Sequence, residues 1–284
     1  MREQEVTLAS GLSGVIRPWK TGDLAVFTTR KMLKQPGPAI EAALMRAAWV
    51  DTLDRGPYAF DGKPPWLTDI LSGDLQDGIR LVRALTFGDY HTAFNCIGPV
   101  CGEPIKVGIP LDDLDSVPYS KEALAFFTEQ DNRIDWEFPD CGKKLVYGLR
   151  TGASMKRIDL MSREHGRHLH VSLAGSVRSV DGVRSNGLVK FMADLSFEDS
   201  RALEDELERL EGGYKDEVDL VCEACGLEQT QMIRMKPDFF RPEKPRTTTD
   251  DDGSPKRSRR ESPSDMQPSG SQSQSTSVSI GSTV

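Results

Sequence analysis

Apolar positions change period several times along this chain, and those changes predict a mixed α+β fold: a helix-rich body carrying short antiparallel hairpins. Gly11 and Gly14 interrupt any long element near the start, and Val15 and Ile16 read as a short strand. Thr21 followed by Asp23 reads as a helix start, with Leu24, Phe27 and Leu33 near one face up to Lys34. Pro36 and Pro38 end that helix and open another, since proline is tolerated in a first turn. Ile40, Ala43, Leu44 and Ala47 are its expected buried stripe. A Pro/Gly-rich loop over 56–65 leads into the apolar segment Trp66, Leu67, Ile70 and Leu71. Asp74 then predicts the cap of a third helix. Leu75, Ile79, Val82 and Leu85 fall on one side of it, Gln76, Asp77, Arg80 and Arg83 largely on the other, and Gly88 closes it.

Beyond a loop ending at Pro118, residues 121–130 have weak helical periodicity, after which the period drops to two. Ile134, Trp136 and Phe138 alternate with Asp135 and Glu137, and Leu145, Tyr147 and Leu149 alternate on the far side of a turn near Asp140 to Lys143. This is a hairpin with one buried face. Thr151 caps a helix running through Met155, Ile158 and Met161. Its end carries His165, His168 and His170, read as an exposed helix-to-strand turn, because no cysteine or acid cluster completes a metal shell around them. Asp181-Gly182 marks a hairpin after the strand over 176–180, and 187–195 reads as a short helix. Ser196 and Asp199 resemble a capping box ahead of the stripe Leu203, Leu207 and Leu210, with an acidic opposite face, and Gly212-Gly213 ends that helix. Phe239 and Phe240 close the fold. The expected organisation is one α+β body over 1–242 and a tail over 243–284 whose Ser/Thr/Pro/Gln/Asp composition gives it nothing to bury, so it is expected to be disordered.

Composition narrows the function classes. The 284 residues carry a formal charge of −8, and the chain lacks the clustered cations that counterion release from a nucleic acid requires. The exception is the basic run Lys256 to Arg260, which sits in a tail that also holds Asp250 to Asp252. No apolar run is long enough to span a membrane, and no cleavable signal precedes the body. A reducing compartment is therefore expected. No Walker loop, nucleophile elbow or HExxH motif occurs, so neither an enzyme nor a small-molecule substrate is expected.

The chemistry lies in the cysteines. Cys96 and Cys101 have C-x4-C spacing, Cys222 and Cys225 have C-x2-C spacing, and a glycine follows the second cysteine of each pair, Gly102 and Gly226. A thiolate site needs two ligands projected from one tight turn, and glycine supplies the left-handed backbone that such a turn adopts. Strand-like segments flank both pairs, giving knuckles over 90–111 and 217–236 with 112–216 as an insertion between them. Two knuckles make one closed tetrahedral site, a zinc ribbon with structural zinc; four buried thiols and two disulfides are the alternatives. Cys141 has no partner nearby in sequence and reads as a loop residue.

The segment Gly73 to Tyr90 with the Cys96 knuckle resembles the baseplate hub and hub-assembly proteins of T4-type contractile-tailed bacteriophages. The similarity continues through Phe138 to Gly152 and the Met155 helix, and resumes at Ser196 to Asp199, the second knuckle and Asp238 to Phe240. The resemblance spans 15–242 in outline and rests on structural residues. It implies a virus-encoded, non-enzymatic structural or assembly (chaperone-like) protein whose partners are other tail or baseplate proteins. Its location would be the host cytoplasm during assembly and the baseplate of the virion if it is retained. The alternative is a zinc-ribbon regulator that binds nucleic acid, favoured by the basic run and opposed by the acidic residues Glu217, Asp219, Glu223 and Glu228 beside the second knuckle.

Overall fold

A computed structural model describes residues 3–27, 29, 34–184, 186–233 and 237–240. The tail over 243–284, with its basic run and its expected disorder, lies outside the described residues. Most of the expected extension of the first helix to Lys34 does so too.

The chain opens with strands β1 (Gln4–Thr7) and β2 (Ser13–Ile16), which pair with β3 (Trp49–Asp54) in one antiparallel sheet of order β1-β2-β3. A 3-10 turn, Asp23–Phe27, occupies the place where a longer helix was expected. Helix α1 (Gly37–Ala48) starts on its prolines as expected, but its buried face is Ala42, Leu44, Met45 and Ala48 rather than one including Ala43 and Ala47. Then come α2 (Ser72–Phe87), the hairpin β4 (Tyr90–Asn95) and β5 (Pro104–Ile109), the short β6 (Ser116–Val117), α3 (Lys121–Glu129), and the hairpin β7 (Ile134–Glu137) and β8 (Lys144–Tyr147). After α4 (Gly152–His165) and α5 (Leu169–Ser176), β9 (Val177–Val180) joins β8 to make a second three-stranded sheet. Helices α6 (Asn186–Ala193) and α7 (Phe197–Leu210) lead through β10 (Gly213–Tyr214), the partner of β6, to the hairpin β11 (Glu217–Val221) and β12 (Glu228–Met232). A 3-10 turn, Pro237–Phe240, comes last. Among the described residues the fold is therefore α+β, with seven α-helices and only short antiparallel sheets.

Helix α2 is the axis of this arrangement, and it departs from its amphipathic expectation. Leu71, not Asp74, is the residue before its first turn. Asp74, Asp77, Arg80 and Arg83 are all buried. Spaced by three, these residues wind half-way around the helix, Asp74 under Ser10 and Tyr58 and the other three under β6, β10 and the closing turn instead of water. Asp74 accepts hydrogen bonds from the Ser10 N–H at 2.9 Å, the Ser10 hydroxyl and the Tyr58 hydroxyl at 2.6 Å. Asp77 pairs with Arg80 at 2.7 Å and accepts from the Ser116 hydroxyl at 3.0 Å, while Arg80 also donates to the Leu111 carbonyl. Arg83 donates to the carbonyls of Phe239 and Gly88 and lies over the rings of Phe87, Tyr90 and Phe239. Burying charged groups this way is tolerable only because each is paired or hydrogen-bonded. The approach of β10 is equally close: a Cβ on Gly73 would stand 2.0 Å from the Gly212 carbonyl oxygen.

Two further expectations change. Asp199 is not a reciprocal cap. Ser196 accepts from the Asp199 N–H, but the Asp199 carboxylate accepts from Asp140 N–H and Cys141 N–H at 2.9 and 3.1 Å, tying α7 to the β7–β8 turn. Asp181 and Gly182 do form a positive-φ turn, but beyond it the chain makes a single bridge, Val180 to Val183, and not a second strand.

Packing of α1 on α4 gives a pH dependence. Desolvation, helped by the neighbouring Asp159 carboxylate, raises the Glu41 pKa from 4.5 to about 7. Tyr214 is the other titratable group that feels Glu41, and Asp159 is itself paired with Arg163 at 2.7 Å. Between pH 4.5 and 7 the native state then binds more protons than the unfolded chain, so this group's contribution to stability falls as pH rises. Glu41→Gln is therefore expected to match the wild type near pH 4 and to exceed its stability by roughly 2–3 kcal/mol at pH 8. Urea midpoints at the two pH values check this; a pH-independent difference would contradict it.

Candidate metal centre

The β4–β5 ladder ends at the Asn95–Pro104 pair, and the first knuckle begins there. Cys96 N–H donates to the Glu103 carbonyl at 2.9 Å, Cys101 N–H donates to the Gly98 carbonyl at 3.1 Å, and Gly98 N–H points at Cys96 Sγ at 3.4 Å. The second knuckle repeats the plan where the β11–β12 ladder ends at Val221–Glu228. Cys222 N–H donates to the Leu227 carbonyl at 2.9 Å, and Gly226 N–H donates to the Cys222 carbonyl at 2.7 Å. Gly102 and Gly226 have φ of 63° and 72°, so the glycine after each second cysteine turns the chain through the left-handed region, as its position in sequence predicts.

The four sulfurs Cys96, Cys101, Cys222 and Cys225 lie within 4.8 Å of one another. The short contacts cross between knuckles: Cys96 to Cys225 at 3.6 Å and Cys101 to Cys222 at 3.7 Å. A tetrahedral thiolate shell with metal–sulfur bonds of about 2.3 Å has edges of about 3.8 Å, so the cluster has the dimensions of a metal cage. All four thiols are free in this structure. Cys96 and Cys222 are buried, Cys101 is half-buried and Cys225 is exposed, leaving the cluster open to solvent on its Cys225 side.

Three of the thiols shift from their ordinary range, Cys222 downward and Cys96 and Cys101 upward. Backbone N–H groups, that of Cys225 foremost, lower Cys222 to about 7. At Cys96 the Gly98 N–H pulls downward, but burial and hydrogen bonding to the other three sulfurs outweigh it and push the thiol up to about 12. Such a set stores its first negative charge readily and resists the rest until a cation neutralises them.

Gln229 is the residue that sequence reasoning missed. It lies on β12, is buried, accepts from Ile97 N–H at 2.9 Å and donates to the Asn95 carbonyl at 3.3 Å, so one amide ties the second knuckle to the first. The signal available in the sequence is its place three residues after Gly226, where alternation along a short polar strand gives no hint that it faces inward. Gln229→Leu keeps the bulk and removes both bonds. It is expected to weaken metal binding by about 10-fold or more and stability by roughly 1–3 kcal/mol, read by chelator competition and thermal melts.

The remaining candidates are not brought to the cluster. Cys141 is exposed in the β7–β8 turn, as its loop reading predicts. His168 and His170 stack with ring centroids 5.4 Å apart, in a connection that runs from helix to helix and not from helix to strand, because residues 169–176 form α5. Among the described residues only the four cysteines form a group of three or more converging metal-ligand side chains. No helix among the described residues is long and apolar enough to cross a membrane.

Fold and site together define an α+β chain whose two separated hairpins meet in one four-cysteine cluster able to hold a metal ion. No protein-family description, no curated protein and no solved structure matches the chain.

Proposed function

We propose that this chain is a non-enzymatic structural or assembly protein of a contractile phage tail baseplate, stabilised by structural zinc in a two-knuckle ribbon. The observation that carries the reading is the convergence of cysteines 129 and 121 residues apart into one four-sulfur shell. Four thiolates close a tetrahedral zinc ion and leave no position for water or substrate, which is the arrangement of a brace and not of a hydrolytic centre. The resemblance of Gly73 to Tyr90, Phe138 to Gly152 and the second knuckle to T4-type baseplate hub and hub-assembly proteins supports the particular setting.

The knuckles also offer surface to partners. Ile97 and Val100 in the first, and Val221 and Leu227 at the second, are exposed, Val100 completely so. Apolar side chains held outward on a rigid turn suit contact with other baseplate proteins, in the host cytoplasm during assembly or in the finished tail. The test has two parts. Elemental analysis of protein purified under reducing conditions is expected to give one zinc per chain. In cells expressing the full set of tail proteins, tagged chain is expected to co-purify with baseplate components identified by mass spectrometry. A metal-free protein removes the brace, and a partner-free monomer removes the assembly role.

A further inference from the structure

The start of α4, the start of β9 and the segment after β8 enclose an open cavity of about 340 Å3 lined by Asn132, Thr151, Ser154, Arg157, Ser176 and Arg178 among others. Its two arginines stand out in a chain that carries 44 acidic residues against 36 basic ones. Neither forms an ion pair among the described residues. Both reach solvent, but the inner part of the Arg157 guanidinium is desolvated against the fold, and this burial, with the neighbouring Arg178 charge, lowers its pKa.

Carbonyl oxygens hold the pair in place without neutralising it. Arg157 donates to the Gly175 carbonyl through Nε at 2.9 Å and through Nη2, and to the Val177 carbonyl at 3.4 Å. Arg178 donates through Nη2 to the Asp131 carbonyl at 3.3 Å. These contacts leave Nη1 of Arg157, and Nε and Nη1 of Arg178, for a ligand. The first N–H groups of α4 are already used: Gly152 donates to the Ile70 carbonyl at 2.9 Å, Ala153 to the Thr68 carbonyl at 3.4 Å and Ser154 to the Thr151 hydroxyl at 3.5 Å. The helix therefore adds the positive end of its dipole to the cavity, and the guanidinium groups supply the donors.

A second, more apolar groove of about 450 Å3 adjoins the first, sharing Ala153 and Arg157 and walled by Leu67, Leu160 and Met161, with Thr68, Lys156 and Glu164 at its polar edge. Two guanidinium groups match a dianion, and the planar fork of each favours phosphoryl oxygens. A phosphate monoester carries close to two charges at neutral pH. We infer that the two cavities form one binding site for an organic phosphate monoester, its phosphoryl group between Arg157 and Arg178 and its apolar part against Leu67, Leu160 and Met161. The ligand is bound and not converted, so the inference stands apart from the zinc brace and the baseplate setting.

The test is calorimetric titration of the full-length protein with phenyl phosphate and, separately, with inorganic phosphate. Phenyl phosphate is expected to bind saturably at one per chain, more tightly than inorganic phosphate, and more weakly as salt is raised. Arg178→Gln is expected to weaken it by about 10-fold or more, the cost of one charge-assisted contact. Arg178 is the informative position because a single carbonyl contact ties it to the fold, whereas Arg157 anchors the end of α5. Arg133→Gln, which removes an exposed arginine paired with Asp135, is the control and should bind as the wild type does. Should Arg178→Gln fail to melt cooperatively, Leu160→Asp at an exposed position tests the same site and should weaken phenyl phosphate to a similar degree. Absence of saturable binding, or Arg178→Gln binding at wild-type strength, overturns the site. Equal affinity for the two probes overturns the share assigned to the apolar groove.

Discussion

Replacing Cys96 and Cys225 together by serine is expected to strip the metal and unfold both knuckles, with cooperative unfolding of the body shifted strongly or lost. Structural zinc contributes an apparent ~10–16 kcal/mol to folding in zinc-finger peptides, whereas a whole domain is stable by only about 5–15 kcal/mol. Even a fraction of the peptide value would be decisive here. The effect should spread, because Cys96 and Cys225 join hairpins separated by 129 residues, and the second hairpin leads directly to Phe239 and Phe240, which pack on Tyr90, Trp19 and Phe27. Metal content and thermal unfolding are measured side by side. Cys141→Ser, at an exposed position outside the cluster, should retain both within about 0.5 kcal/mol. A metal-free double variant with an unchanged midpoint would show that the cluster is not a brace.

The second large effect belongs to α2. Asp77→Ala removes the carboxylate that neutralises Arg80 where both side chains are almost completely buried, and an uncompensated charge in that position costs about 3–5 kcal/mol. Arg80 would keep its bond to the Leu111 carbonyl and its place over the Tyr214 ring, but neither supplies a negative charge. The double variant Asp77→Leu, Arg80→Met should recover much of the loss, since replacing a buried pair by apolar groups of similar size is often neutral or better. Urea denaturation of the two variants decides the matter. A single variant that loses less than about 1 kcal/mol would mean that the pair is solvated in solution.

These two sites also separate what could be read along the chain from what could not. Each knuckle is local: Cys222, Cys225 and Gly226 fall within five residues, and the ladder pairs Tyr90 to Ile109 and Glu217 to Met232 bracket the two turns. Cysteine spacing, the trailing glycines and the strand alternation are therefore visible in sequence, as are the proline start of α1, the Thr151 cap of α4 and the stripe Leu203, Leu207 and Leu210 of α7. The strand β3 and the helix α5 carried no such mark. Trp49–Asp54 has one buried residue at its start and then mostly exposed positions, and Leu169–Ser176 is apolar on most sides, so neither shows a period to detect.

Local chemistry along the chain thus settled where turns form, where helices begin and which cysteines come in pairs, since those choices are made by interactions reaching only a few residues. Long-range packing settled the rest. It brought Cys96 to Cys225 and Cys101 to Cys222, turned Gln229 inward to Ile97 and Asn95, and set Arg157 beside Arg178 across the α4–β9 cavity. It also converted the polar side of α2 into an interior. Asp77, Arg80 and Arg83 have the spacing of a solvated helix face, and only the partners laid over them, from Ser116 and Leu111 to Phe239, decide that water is excluded. Burial depends on which distant segments arrive, and no period within one helix encodes that.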